Sequence, residues 1–163
     1  MTDVFASIAF YIFGLVSVGG AIGMITARKL VHSAIFLVVS FLGVAVIYLL
    51  ARADFLAGVQ VLIYAGAIMI LMLFGIMLTP GQVEAAGRPG QRLAAALVAG
   101  AFLVMTAFTL MRTSWPMAQT LSDQPTTEAI GQLIMNKYVL PFELASVLLL
   151  AAMVGAILIA RED

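Results

Sequence analysis

Gln60 and Tyr64 are the polar side chains of greatest reach inside an uncharged stretch at residues 55–79, FLAGVQVLIYAGAIMILMLFGIMLT. Spaced i, i+4, they share one face of a helix. An amide and a phenol so placed can line a polar, hydrated path between helices. They can equally serve as polar glue for assembly, since interhelical hydrogen bonds are common and contribute only ~0.6–2 kcal/mol. Both readings stay open from the residues alone. Ala65, Gly66 and Ala67 follow, three small residues that let another backbone approach closely. Glycine weakens the local helix by ~1 kcal/mol relative to alanine, and a buried tyrosine hydroxyl needs a hydrogen-bond partner. The segment therefore reads as an interior helix, tightly packed and soft at its middle. Gly66 is expected where a distortion would crowd a neighbouring helix.

Glu143 is the one carboxylate inside an apolar stretch long enough to span a bilayer. An acid in that setting is a candidate proton relay. It also stands just after Pro141 near the start of the span, ~3–5 Å in at helical rise, where it could reach the interface or accept from first-turn amides. Gly19 with Gly23, and Ala151 with Gly155, are small-xxx-small pairs that mark helix contacts. Tyr11 and Tyr48 read as interface or packing aromatics, and His32, beside Arg28 and Lys29, as a solvated helix end. The ten Met and ten Phe fill packing or lipid-facing positions.

Absences narrow the chemistry. With no cysteine and one histidine, disulfides, thiol catalysis, iron–sulfur ligation and imidazole metal clusters are excluded from this chain. A self-sufficient ion transporter generally carries Lys, Asp or Glu at mid-membrane. The first four spans have none, which argues against a small stand-alone transporter.

The elements that must hold these residues are membrane helices. Apolar residues make up 64% of the chain and charged residues 10%, and the mean hydropathy is +1.16, outside the soluble range. Net charge is zero, so nothing points to nucleic acid. Five spans emerge at residues 4–25, 31–50, 55–79, 93–111 and 138–160, each near the ~20 residues a crossing helix needs. The first, preceded only by Met-Thr-Asp, reads as a retained helix and not a signal peptide. The expected fold is all-α, one membrane domain over residues 1–163. Five Lys and Arg (Arg28, Lys29, Arg88, Arg92, Arg161) fall on one side and three (Arg52, Arg112, Lys137) on the other. The positive-inside rule then puts the N-terminus outside and the C-terminus inside.

Two connections of a few residues force the first three helices into antiparallel neighbours. The Gly/Pro-rich segment at residues 80–90 favours turns over helix. Within the outer loop at 112–137, residues 126–134 suggest a short interfacial helix capped by a threonine, with Trp115 as an interfacial anchor.

Three passages together carry a more specific signal. The run from Val59 to Leu71 in the third span, VQVLIYAGAIMIL, resembles the signature of subunit J of respiratory complex I (the NuoJ family), whose mitochondrial counterpart is NADH dehydrogenase subunit 6. The run from Leu140 to Leu150, LPFELASVLLL, followed by Val154-Gly155-Ala156-Ile157, resembles its second signature, and Thr127-Glu128-Ala129-Ile130-Gly131 its third. The likeness covers most of the chain, with five spans in the family's order. It implies a non-catalytic-centre subunit of a proton-translocating NADH:quinone oxidoreductase, with no cofactor in this chain. NADH, FMN, iron–sulfur clusters and quinone are expected in partner subunits. Implied partners are the small three-helix subunits, the quinone-site subunit and an antiporter-like subunit, in a bacterial plasma membrane rather than a mitochondrial inner membrane. The resemblance also implies a π-bulge around Tyr64 to Ala67 that converts to regular helix during turnover, making or breaking a water path, with Tyr64, Ala65, Gly66, Ala67, Gln60 and Glu143 as path or switch candidates. Some relatives carry Glu four residues before the Tyr. This chain has Gln60, so no titrating role is carried over to that position. The competing readings are a membrane subunit of a related hydrogenase or cation antiporter complex, and a purely structural adaptor.

Overall fold

Each long apolar run folds as a helix, because only a helix satisfies every backbone amide and carbonyl of an isolated segment in hydrocarbon. The computed structural model describes residues 2–79, 89–114 and 126–161. The described elements are α1 (Thr2–Thr26), α2 (Leu30–Leu50), α3 (Asp54–Leu78), α4 (Pro89–Arg112), α5 (Thr126–Asn136) and α6 (Val139–Ala160), with no strand among them. Five are long and apolar enough to cross a membrane. The expected spans agree with them to within one or two residues at most ends, the usual uncertainty of a helix terminus. α4 differs more. It begins at Pro89, inside the stretch read as turn, because proline is tolerated in the first helical turn, where its missing N–H has no partner to lose.

α1 and α2 form a tight antiparallel pair. Near the turn, the Ser33 hydroxyl donates to the Met24 carbonyl at 2.8 Å. Farther along, the Ser40 hydroxyl donates to the Ser17 carbonyl at 2.9 Å. Small residues set the spacing: a Cβ built on Gly20 would lie 2.8 Å from both the Phe36 carbonyl oxygen and the Ser40 nitrogen. One on Gly23 would lie 2.6 Å from the Phe36 ring, and one on Gly43 would lie 3.0 Å from Ser17. Gly19 has no atom of another helix within 4 Å. The expected Gly19–Gly23 contact thus holds for Gly23 only, and Gly20 replaces Gly19, because the packed stripe runs over Ser17, Gly20 and Gly23.

α2 ends in a Schellman motif. The Ala53 N–H reaches back to the Tyr48 carbonyl at 2.9 Å and the Arg52 N–H to Leu49 at 3.0 Å, with Arg52 in the left-handed region at φ 56°. This reversal lays α3 antiparallel along α2, so α2 packs against both α1 and α3. The buried set is small: Gly20, Ala34, Ser40, Gly43, Ala45, Ala57, Gln60 and Met69.

α5 packs on the start of α3, at Asp54–Val59, and on α6. Its inward face is the half-buried stripe Thr126, Ile130, Ile134 at helical spacing, while Thr127, Glu128, Gly131 and Gln132 are exposed. The expected threonine cap is not seen. The Thr126 hydroxyl is buried without a hydrogen-bond partner among the described residues. α6 touches only α5 among the described elements of its unit, and Gly155 has open space around it. Among the described residues, Gly155 of its small-residue pair meets no other helix. The described residues 89–114 belong to a separate unit. Within it, the α4 side chains from Leu93 onward are exposed. Trp115 and the loop residues beside it lie outside the described residues.

Candidate functional site

The middle of α3 is not an α-helix. Asp54–Val59 and Met69–Leu78 are α-helical, and Gln60–Ile68 between them is π-helical over 9 residues. The register is visible at its end, where the Met69 N–H reaches the Tyr64 carbonyl five residues back as well as Gly66. The expected bulge around Tyr64 to Ala67 is present, within a section that begins four residues earlier, at Gln60.

The composition of the section explains why it tolerates this geometry. A π-turn widens the helix and adds one residue to a turn. Ala65, Gly66 and Ala67 put little side chain on the distorted backbone. A Cβ built on Gly66 would lie 3.2 Å from the Val61 carbonyl oxygen, again five residues back, and near no atom of another helix. This corrects the expectation that Gly66 abuts a neighbouring helix. Its crowding is internal and belongs to the π register itself.

Gln60 and Tyr64 do share a face. With Tyr48, Phe41, Val44 and Leu56 they line a recess of about 450 Å³ between α2 and α3. Gln60 is 7% exposed, and the Tyr64 ring meets Phe41 edge-on with centroids 5.8 Å apart. Among the described residues, none hydrogen-bonds the Gln60 amide or the Tyr64 and Tyr48 hydroxyls. Leaving a group unpaired away from water costs roughly 1–3 kcal/mol, which bears on the nearly buried Gln60, whereas Tyr64 is 44% exposed. Water can serve them, and at ~30 Å³ per water molecule the recess has room for several. Neither side chain makes an interhelical hydrogen bond among the described residues.

Glu143 is not brought to this recess. It is the fifth residue of α6, its side chain is exposed, and α6 does not touch α3. No side chain caps the start of α6, so the first-turn role expected of Glu143 is not seen. Its carbonyl accepts from the Ser146 hydroxyl at 2.7 Å. Tyr48 and Met69 were not legible as site residues. A tyrosine near a span end reads as an interface aromatic, and one methionine among ten carries no distinguishing signal.

Fold and site together define a class: a multi-pass helical membrane protein whose third span is π-helical at its middle, with unpaired polar groups facing a recess there. The chain belongs to the family of NADH-ubiquinone/plastoquinone oxidoreductase chain 6, whose model matches residues 20–159. It is 40% identical over 160 residues to a protein named NAD(P)H-quinone oxidoreductase chain 6 from Synechocystis sp., covering 96% of this chain and 81% of the relative. It is 36% identical over 158 residues to F(420)H(2) dehydrogenase subunit J of Methanosarcina mazei, covering 94% and 90%. A chloroplastic NAD(P)H-quinone oxidoreductase subunit 6 from Zygnema circumcarinatum is 37% identical over 155 residues, covering 88% and 86%.

Proposed function

We propose that this chain is a membrane-arm subunit of a complex I-type NADH:quinone oxidoreductase and that α3 couples quinone reduction to proton translocation. The observation that carries the coupling role is the π-helical section at Gln60–Ile68 beside a recess holding three unpaired polar groups. A π-turn is a stored register shift. Converting it to α-helix rotates one half of the span against the other and opens or closes a file of water along Tyr48, Gln60 and Tyr64. The carboxylates at either end of that file would belong to neighbouring subunits, because α3 has no charge between Asp54 and its end at Leu78.

The redox chemistry takes place elsewhere. NADH, FMN, iron–sulfur clusters and quinone are assigned to partner subunits, and this chain holds no cofactor. Relatives named for NAD(P)H and for F(420)H(2) are 40% and 36% identical to it, which supports a membrane module joined to different electron-input subunits. The neighbours would be the small three-helix subunits, the quinone-site subunit and an antiporter-like subunit. The exposed apolar faces of α4 and α6 suit them and the bilayer. We place the complex in a bacterial plasma membrane, N-terminus outside.

The test is a structure of the intact assembly at rest and during turnover, with proton uptake and quinone reduction measured on the same membranes. A π section in one state and α-helix in the other is expected. An identical π section in both, with normal pumping, would leave α3 as a packed structural span.

A further inference from the structure

Met69 stands apart from the rest of α3. It is 1% exposed and the largest fully buried side chain, while its neighbours Ile68 and Ile70 are 46% and 52% exposed. Its backbone N–H also closes the last five-residue bond of the π section, to Tyr64. One residue therefore carries both the end of the π register and the best-buried side chain beyond it. The segment it begins packs against α2 and no other described helix, so its burial comes from α2 and its own helix.

We infer that Met69 is the positioning residue that holds α3 in its π register, and that Ile68 takes its place against α2 when the section becomes α-helical. This rests on the proposed conversion of α3. The geometry follows from counting. A π-turn holds one residue more than an α-turn, so the residues after it lag by about 100°. Removing the lag advances every later side chain by that angle. Met69 then leaves the α2 contact, and the residue before it arrives there. That residue is Ile68, apolar and close to methionine in size, so the contact is refilled rather than emptied. The two registers thus each bury one large apolar side chain at the same place, as a two-state element needs if neither form is to collapse. The conversion exchanges Met69 for Ile68 at the α2 contact.

The experiment uses the assembled complex in its own membrane. Met69→Ala removes the side chain that the π form buries, and Ile68→Ala removes the one that the α form buries. The ratio of π to α at residues 60–68 is read by sorting single-particle images of each variant at rest and during turnover. Met69→Ala should shift that ratio at least about tenfold toward α and Ile68→Ala a comparable factor toward π, the expectation for truncating a fully buried side chain in one of two states. The double variant should return near the wild-type ratio. Met69→Leu, close in volume, should leave it unchanged. A shift in the same direction for both single variants, or no shift in either, overturns the inference. If Met69→Ala fails to assemble, Ile68→Ala and Met69→Leu decide, since position 68 is half exposed at rest. If the wild-type section stays π in every state, the conversion itself falls. If the wild type converts but the variants do not move the ratio, only the exchange of Met69 for Ile68 falls.

Discussion

Tyr64 meets Phe41 edge-on, ring planes at 80°, and this contact fixes the π-helical part of α3 against α2. The ring holds the packing; the hydroxyl is free to serve the recess it shares with Gln60 and Tyr48. Ring and hydroxyl therefore separate by mutation. Tyr64→Phe keeps an edge-to-face pair, worth about 0.5–1.5 kcal/mol beyond area burial, so subunit abundance in membranes should stay at the wild-type level. Proton uptake per quinone reduced should fall if the hydroxyl orders a water file. Tyr64→Ala should lower abundance as well. Blotting followed by paired proton and quinone assays on the same vesicles separates the two effects. Wild-type coupling in Tyr64→Phe would remove the hydroxyl from the path.

Gly66 gives a second probe of the register. Its Cβ position lies 3.2 Å from a carbonyl that comes close only because the helix is π there. Gly66→Ala should thus disfavour the π form mildly, since the Val61 carbonyl must give by a few tenths of an ångström. Gly66→Val should do so strongly, with overpacking of about 1–3 kcal/mol and a β-branched side chain resisting rearrangement. The check is the graded loss of coupled turnover from Gly to Ala to Val in complexes that still assemble. Equal activity across the series would show that the register does not matter to turnover.

The α1–α2 seam predicts a sharper contrast between adjacent glycines. Gly20→Ala would place Cβ at 2.8 Å from backbone atoms of Phe36 and Ser40, which cannot swing aside, so the pair must part. Gly19→Ala meets no other helix and gains helix propensity of up to ~1 kcal/mol. Membrane abundance after mild detergent extraction should fall for the first and hold for the second. Loss of abundance in Gly19→Ala would mean that a partner chain approaches Gly19.

The spans were legible because apolar length is a one-dimensional property: about twenty apolar residues bounded by Arg28-Lys29 or Arg52 leave few choices. The softness of α3 was legible from Ala65-Gly66-Ala67, and the pairing of Gln60 with Tyr64 from their spacing. What the sequence did not contain is the direction of each contact. Gly19 and Gly20 are equally small, and only the rotation of α1 about its axis decides that Gly20 faces Ser40. Gly66 looked like a residue spared for a neighbour, whereas its constraint comes from its own helix five residues back. Tyr48 and Met69 became site residues through α2 folding back along α3, which no local pattern records.

Orientation is testable without removing any native thiol from the chain, since it has no cysteine. With the N-terminus outside, the turn between α1 and α2 is inside and the end of α4 is outside. Ala27→Cys should be blocked only by an inward-facing reagent and Thr113→Cys by an impermeant one added externally. The five-to-three distribution of Lys and Arg carries this expectation. Labelling of both positions from one side would require a different number of crossings.

Glu143 is the last position that tests where protons run. It is exposed on α6, caps no helix end, and does not reach the Gln60–Tyr64 recess. Two roles remain: an interfacial carboxylate with no part in transport, and a relay completed by a partner subunit covering α6. They differ in the conservative variant. Glu143→Gln keeps size and hydrogen-bonding reach but cannot release a proton. As an interfacial residue it should leave abundance, quinone reduction and proton uptake within about twofold of wild type, as expected of a surface substitution worth no more than ~0.5 kcal/mol. As a relay it should leave assembly intact and abolish proton uptake, with quinone reduction slowed or uncoupled. Because the side chain makes no hydrogen bond or ion pair among the described residues, lost pumping in a fully assembled variant would assign Glu143 to the proton path.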